Sequence, residues 1–140
     1  MEIKLQANFK QAANDLKKRG KSLKSSAKKA LLITALKGIN IIEARTSKSR
    51  SYKGTFFKKY NASYAAYRLQ KGRSTKPDLQ FTGQMMGSMS AVSTGSHAEI
   101  YFTRATEAKK AAMNDKKRPF FGFSRKEQKT LGKTFERYLK

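Results

Sequence analysis

The sequence predicts an α+β fold, in which a long N-terminal helix and a C-terminal helix pack on a small antiparallel sheet. Residues 9–44 contain no Pro, and their apolar side chains recur at helical spacing. Residues 89–93 and 98–102 alternate in polarity and flank a turn that contains Gly95, which is typical of a hairpin. Ser124 and Glu127 have the spacing of a capping box, which predicts the start of a final helix.

The long helix is predicted over residues 9–44, with Asn8 as its N-cap and a weak point at Gly20. Residues 9–29 have a narrow apolar stripe and many Lys, whereas residues 30–44 are apolar nearly all round. A helix that is apolar on every side is buried on every side. Because one small domain can hardly cover such a helix, we expect self-association there, through Leu32, Ile33, Leu36 and Ile39.

Shorter elements are expected along the rest of the chain. A strand containing Ile3 and Leu5 opens it, and the polar, basic residues 45–58 are predicted to form a mobile loop around Gly54. Further helices are expected within residues 60–71, with Tyr64, Tyr67 and Arg68, and over residues 105–114. The sheet and the C-terminal helix occupy about residues 77–139, within one domain that covers residues 1–140. The final helix is predicted to present one apolar face: Leu131, Phe135, Tyr138 and Leu139.

Charge is the dominant feature of the composition. The chain has 32 Lys and Arg against 9 Asp and Glu, a formal net charge of +23. Residues 81–115 are neutral, with three basic and three acidic side chains, so the excess lies in the flanking regions. Such a chain favours anionic partners: nucleic acid, acidic protein surfaces or anionic membranes. With 38% hydrophobic residues, its core is expected to be small for 140 residues and to need partners or self-assembly.

The sequence offers little to a catalytic mechanism. It has no Cys, which excludes disulfides and thiolate metal sites. The only His, His97, falls in the predicted hairpin turn without a convincing acidic neighbour, so we expect an exposed turn residue. The acidic residues have no metal-ligand spacing, and the glycines match no phosphate-binding loop. We therefore expect a protein that is not an enzyme and that binds no cofactor or metal.

Targeting and membrane signals are weak. No signal peptide is expected from the first residues. The longest apolar region, residues 30–44, is interrupted by Lys37, Asn40 and Glu43 and is too short to span a bilayer. We therefore expect a soluble protein that is made in a cytoplasm and has no membrane partner.

Aromatic and basic side chains alternate in residues 52–60. Such a mixture can stack on bases and neutralise phosphates. It is equally typical of a basic loop whose aromatic side chains pack on a neighbouring protein. The residues leave these two alternatives open.

Two further segments carry a resemblance to a known family. Residues 77–89 (Pro-Asp-Leu-Gln-Phe-Thr-Gly-Gln-Met-Met-Gly-Ser-Met) and residues 118–124 (Arg-Pro-Phe-Phe-Gly-Phe-Ser) occur in this order around the hairpin and before the final helix. They resemble the virion-morphogenesis family of tailed bacteriophages, which covers neck, head–tail joining and tail-completion proteins. Residues 105–115 depart from the family's usual pattern, which leaves the subfamily open. The matching positions are Thr82, Gly83, Met85, Ser88, Met89, Arg118, Pro119, Phe120, Phe121, Gly122 and Ser124.

The resemblance implies a structural virion protein that is made in the host cytoplasm and assembles as a ring, six- or twelve-fold, at the head–tail interface. Implied partners are further copies of the chain, neck connector proteins and tail proteins, with non-specific contact to DNA in the channel. A small, basic, non-specific nucleic-acid-binding protein is the alternative, since it explains the charge.

The matching residues also have a physical interpretation of their own. Thr82 and Gly83 form a tight-turn pair, and Arg118 before Pro119 favours an extended backbone. We expect residues 120–123 to bracket a short strand, with Phe120 and Phe123, or Phe121 alone, anchoring the final helix. Gly122 permits a close approach, and Ser124 caps the final helix.

Overall fold

The computed structural model of the protein describes residues 2–6 and 21–139. The described chain contains a three-stranded antiparallel sheet and five helices. This mixture of helix and sheet confirms the predicted α+β fold. The elements, in chain order, are β1 (Glu2–Gln6), α1 (Lys21–Ser47), α2 (Ala62–Gln70), α3 (Gln84–Gly87), β2 (Met89–Ser93), β3 (His97–Phe102), α4 (Ala105–Lys117) and α5 (Arg125–Tyr138).

The sheet has the strand order β1-β3-β2, with the last strand of the sequence in the centre. Ile100 is the middle of the register, opposite Ile3 of β1 and Ala91 of β2. Alternate residues of β3, namely Ala98, Ile100 and Phe102, are buried. This period of two shows that one face of β3 packs against the rest of the protein. The hairpin turn between β2 and β3 is closed by the Thr94 N–H, which donates to the His97 carbonyl at 2.8 Å.

Helix α1 packs against β2, β3 and α5 through one face. Its buried residues recur every three or four positions, as helical periodicity requires. They run from Ala27 through Ala30, Leu31, Thr34, Ala35, Ile39 and Ile42 to Thr46. Gly38 belongs to the same face: a Cβ there would lie 2.8 Å from Cζ of Phe123 and 3.1 Å from Cδ1 of Ile100. The absence of a side chain therefore lets α1 approach the sheet closely.

The predicted helix over residues 9–44 is found with a different C-terminal end. It continues to Ser47 instead of ending at Ala44. Residues 9–20, and the N-cap predicted at Asn8, lie outside the described residues. Among the described residues, α1 buries one face and leaves the other open to solvent. Burial of this second face by neighbouring copies of the chain stays a prediction.

Helix α5 begins as predicted. Ser124 accepts a hydrogen bond from the Glu127 N–H, and the Glu127 carboxylate accepts one from the Ser124 N–H, which completes the capping box. Leu131 and Phe135 are buried on α1, and Leu139 is half-buried beside them. Tyr138 was expected on this face but is exposed, because it lies at the last residue of the helix.

The segment predicted as a mobile loop, residues 45–58, contains the last turn of α1 up to Ser47 and then a packed turn. Thr46, Ser49, Ser51 and Phe57 are buried in this segment. The Ser51 N–H donates to the Thr55 carbonyl at 2.8 Å, and the Phe57 N–H donates to the Ser49 carbonyl at 2.8 Å. The prediction was wrong because it took polar composition for solvent exposure. The Ser51 hydroxyl is hydrogen-bonded to the Thr55 hydroxyl and accepts from the Lys53 N–H. The buried hydroxyls of Thr46 and Ser49 have no hydrogen-bond partner among the described residues, so the packing of the segment rather than their own bonding holds them inside.

Residues 118–124 form an irregular turn rather than the predicted short strand. Asp115, at the end of α4, accepts hydrogen bonds from the N–H groups of both Phe120 and Phe121 at 3.1 and 3.0 Å. This turn directs two consecutive aromatic rings into the core, so Phe120 and Phe121 are both buried, and Phe123 is half-buried against α1. The Phe121 ring lies 5.1 Å from that of Phe102 on β3, centroid to centroid.

We predict that Phe120→Ala destabilises the protein by about 3–5 kcal/mol, because it leaves a cavity at a fully buried position. For a domain of this size the melting temperature should fall by about 10 °C or more. Phe56→Ala is the matched control, since Phe56 is 69% exposed. Thermal unfolding followed by circular dichroism measures both. Equal melting temperatures for the two variants would contradict the placement of Phe120.

Candidate functional site

The residues of the first family-like segment form a turn and a buried apolar wedge. Gly83 has a left-handed backbone (φ +82°), and the Thr82 hydroxyl accepts from the Gln84 N–H at 3.3 Å, so the pair starts α3 as predicted. Met85 and Met89 are buried in the core. Ser88 is buried between them, and its hydroxyl donates to the Met85 carbonyl at 2.9 Å.

The residues of the second segment are equally structural. Arg118 ends α4 with φ −134° and ψ 89°, which is neither helical nor fully extended, and its side chain is buried, which no local pattern in the sequence had indicated. Its Nε donates to the Lys58 carbonyl at 2.6 Å and its Nη2 to the Lys59 carbonyl at 3.0 Å. The Pro119 carbonyl accepts from the Tyr52 N–H, and a Cβ at Gly122 would lie 2.6 Å from Cε1 of Tyr52. The close approach predicted at Gly122 is therefore made by the Tyr52 ring.

Arg45 connects this segment to both long helices. From the last turns of α1, its Nη1 donates to both carboxylate oxygens of Glu127 at 2.7 and 2.8 Å. Its Nη2 donates to the carbonyls of Phe120 and Gly122. A bidentate guanidinium–carboxylate pair is the stronger kind of ion pair. Arg45 therefore fixes α1, residues 120–122 and the start of α5 relative to one another.

Tyr60 lies between two further buried arginines. The guanidinium carbons of Arg68 and Arg118 are 4.9 and 4.7 Å from the centroid of its ring. Arg68 also donates to Asp78 and to the carbonyls of Ser74 and Gln80. The Tyr60 hydroxyl accepts from the N–H of Leu79, a buried residue with a left-handed backbone (φ +59°). These contacts hold residues 58–60, α2 and residues 74–80 together.

A groove of about 620 Å³ opens above this cluster. We call it the α2–α4 groove. One wall is aromatic: Tyr60, Tyr64 and Tyr67 on and before α2, with Phe81. The other wall is one face of α4, with Glu107, Lys110, Asn114 and Lys117 at helical spacing, and Lys58 and Lys59 lie at the rim. The groove is lined by five basic side chains, one of which is Arg118, and by one acidic side chain, Glu107.

The aromatic wall is a continuous row of rings. The Tyr60 and Tyr64 rings meet edge to face at 4.9 Å between centroids, Tyr64 and Tyr67 are stacked at 6.4 Å, and Tyr67 and Phe81 are stacked at 5.6 Å. Tyr67 is nevertheless 46% exposed. The row therefore combines fixed ring positions with open aromatic surface.

The residues predicted for self-association separate into two groups. Leu32, Ile33 and Leu36 lie on the solvent side of α1, with 37%, 38% and 48% of their surface exposed. We call these three the α1 apolar face. Ile39 was also assigned to self-association, but it is buried in the protein's own core and is not available to a partner. The apolar pattern had merged two faces of one helix.

His97 has more neighbours than its place in a hairpin turn predicted. Its Nδ1 lies 3.1 Å from the Thr94 hydroxyl and its Nε2 lies 3.4 Å from a carboxylate oxygen of Glu99. The acidic neighbour was missed because residues two apart on a strand share a face. His97 was expected as an exposed turn residue, but it is the first residue of β3 and is half-buried, as is Glu99, whereas Thr94 is exposed. The Thr94 hydroxyl also accepts from the N–H groups of Ser96 and His97, so it serves as a turn-forming group.

Metal clusters and membrane spans are both absent from residues 2–6 and 21–139. This part of the chain contains no group of three or more His, Cys, Asp or Glu side chains that could hold a metal ion. None of the helices described is both long enough and apolar enough to cross a membrane.

Comparison of the chain with protein-family models, with curated proteins and with solved structures found no match.

Burial raises the pKa of the Tyr60 phenol above its ordinary value of 10.0, despite the opposing effects of the Leu79 N–H and the Arg68 charge. The pKa in the folded protein thus exceeds that in the unfolded chain. The stabilising effect of neutral Tyr60 is therefore complete below about pH 10 and is lost as the pH rises through the folded pKa.

We predict that Tyr60→Phe destabilises the protein by about 1–3 kcal/mol at neutral pH, because the buried N–H of Leu79 loses its acceptor. The variant should also lose a titrating phenol whose pKa lies above 10.0. Urea unfolding and absorbance titration near the phenolate band measure the two effects, with Tyr138→Phe as an exposed control. A difference titration between wild type and Tyr60→Phe with its midpoint at or below pH 10 would contradict the assigned shift.

Proposed function

We propose that this chain is a structural protein of a tailed bacteriophage virion, a neck, head–tail joining or tail-completion component that assembles as a ring and catalyses no reaction. The phage assignment rests on the resemblance of residues 77–89 and 118–124 to the virion-morphogenesis family. The assembly role rests on one observation, the α1 apolar face, which the described residues 2–6 and 21–139 leave exposed.

The interactions of the family-like residues support a structural rather than a chemical role. The polar side chains of Thr82, Ser88, Arg118 and Ser124 are all engaged with backbone groups of the chain itself. Met85, Met89, Phe120 and Phe121 belong to the core. Residues used in this way define a shape that a neighbouring subunit can recognise.

The α1 apolar face has the character of a contact between subunits. Three large apolar side chains form one patch on the longest helix of the described chain, with Lys29 and Lys37 beside them. Burying each such side chain contributes about 1.5–3 kcal/mol. The charge of +23 on each copy opposes association, and salt screens this repulsion. Ring formation is therefore expected to strengthen with salt or with an acidic neck or tail partner.

We predict that Leu36→Lys and Ile33→Lys weaken self-association while changing stability by no more than about 0.5 kcal/mol, because both side chains point to solvent. Size-exclusion chromatography with light scattering, over a range of salt concentrations, measures the oligomer. Leu69→Lys is the matched control, an equally apolar and 63% exposed residue on α2. Ile39→Lys should instead unfold the protein. Assembly by Leu36→Lys at wild-type level would place the interface elsewhere.

The alternative, a small, basic, non-specific nucleic-acid-binding protein, is favoured by the lysines and aromatic rings of the α2–α4 groove. We expect contact with duplex DNA under either function to be non-specific and to weaken steeply with salt, because phosphate contacts release counterions. Electrophoretic mobility shifts with two unrelated duplexes at low and high salt test this. Sequence-specific binding that persists at high salt would contradict it.

A further inference from the structure

We propose that the α2–α4 groove binds single-stranded nucleic acid, with bases against the tyrosine wall and phosphates at the lysine rim. The proposal does not rest on the assembly role, because the groove and the α1 apolar face are formed by different residues.

The charge of the groove selects an anionic occupant. Lys58, Lys59, Lys110 and Lys117 approach it from two segments and are exposed. Lys110 also forms an ion pair with Glu107 at 3.3 Å. A second copy of the chain is a poor occupant of this groove, because it would bring further positive charge to a basic lining. Nucleic acid and acidic peptides remain.

The aromatic wall decides between these two. Tyr64, Tyr67 and Phe81 form a row of rings at spacings of 6.4 and 5.6 Å, in which Tyr64 and Tyr67 are 36% and 46% exposed. Bases have aromatic faces that stack on such rings, and each stacked base contributes substantially to binding. Acidic side chains have no aromatic face that could stack on these rings. A duplex keeps its bases stacked internally, so the wall favours a single strand.

The groove is already formed without a ligand. Its floor is held by Tyr60 between Arg68 and Arg118, and both guanidinium groups donate to backbone carbonyls. Its volume of about 620 Å³ lies within the usual range for sites that bind small molecules. One or two nucleotides of a longer strand fit this scale, and Asn61 and Asn114 supply amide groups beside them.

The test is fluorescence anisotropy with a labelled single strand of about 12 nucleotides, with the matching duplex as competitor. Wild-type protein should prefer the single strand. Tyr67→Ala should weaken single-strand binding about 5- to 150-fold, the range expected when one base loses its stacking partner, and should leave duplex binding unchanged. Tyr67→Phe, which keeps the ring, should bind like wild type. Tyr138→Ala is the matched control, because Tyr138 is also 46% exposed but lies outside the groove.

The lysine rim has its own measurement. The double substitution Lys110→Ala and Lys117→Ala should reduce the slope of log affinity against log salt by about 0.7 for each phosphate that is no longer neutralised. The same change at Lys126 and Lys129, exposed residues of α5, removes equal charge away from the groove and should reduce the slope less. Melting curves identical to wild type confirm that each variant is folded.

Three results would overturn the proposal. The first is equal binding by Tyr67→Ala and Tyr138→Ala, which would make the rings irrelevant. The second is equal affinity of wild-type protein for single strand and duplex. The third is displacement of the strand by poly-glutamate at equal charge concentration, which would assign the groove to an acidic peptide.

Discussion

Arg45 holds the three parts of this fold in register. Its guanidinium reaches from α1 to the Glu127 carboxylate and to the carbonyls of residues 120 and 122, about 75 to 82 positions further along the chain. Burying a charge is costly unless it is paired and its donors are satisfied. Here one carboxylate both neutralises Arg45 and closes the capping box of α5, and both Nη atoms of Arg45 donate, whereas its buried Nε has no hydrogen-bond partner among the described residues. The start of α5, and with it the burial of Leu131 and Phe135, therefore depends on the end of α1.

Arg68 and Arg118 repeat this arrangement around Tyr60. In both, a buried guanidinium donates to backbone carbonyls of segments that have no regular structure. The chain is thus highly basic on its surface and also uses basic side chains inside. Planar arginine donors suit this task better than the ammonium group of lysine. The lysines are left on the exterior, where they determine which partners can approach.

Periodicity and local motifs predicted the elements but not the contacts between them. The hairpin and the capping box of Ser124 and Glu127 followed from residue spacing. The burial within residues 45–58 did not, because backbone hydrogen bonds fold this polar segment against the core and bury even the hydroxyls of Thr46 and Ser49, which composition cannot reveal. The α2–α4 groove was seen only in part, through the aromatic residues near Tyr60. Its walls come from segments about 50 residues apart, and no local pattern joins Tyr67 to Lys110.

The two closest glycine contacts tie the identities of distant residues to each other. Gly122 has no room for a side chain because the Tyr52 ring occupies that space, and Gly38 is limited in the same way by Phe123. A larger residue at position 122 therefore requires a smaller one at position 52, and the same holds for positions 38 and 123. In divergent sequences with this fold, these positions should change as pairs. A relative that retains neither glycine could then be recognised by paired substitutions at positions 38 and 123 and at positions 52 and 122.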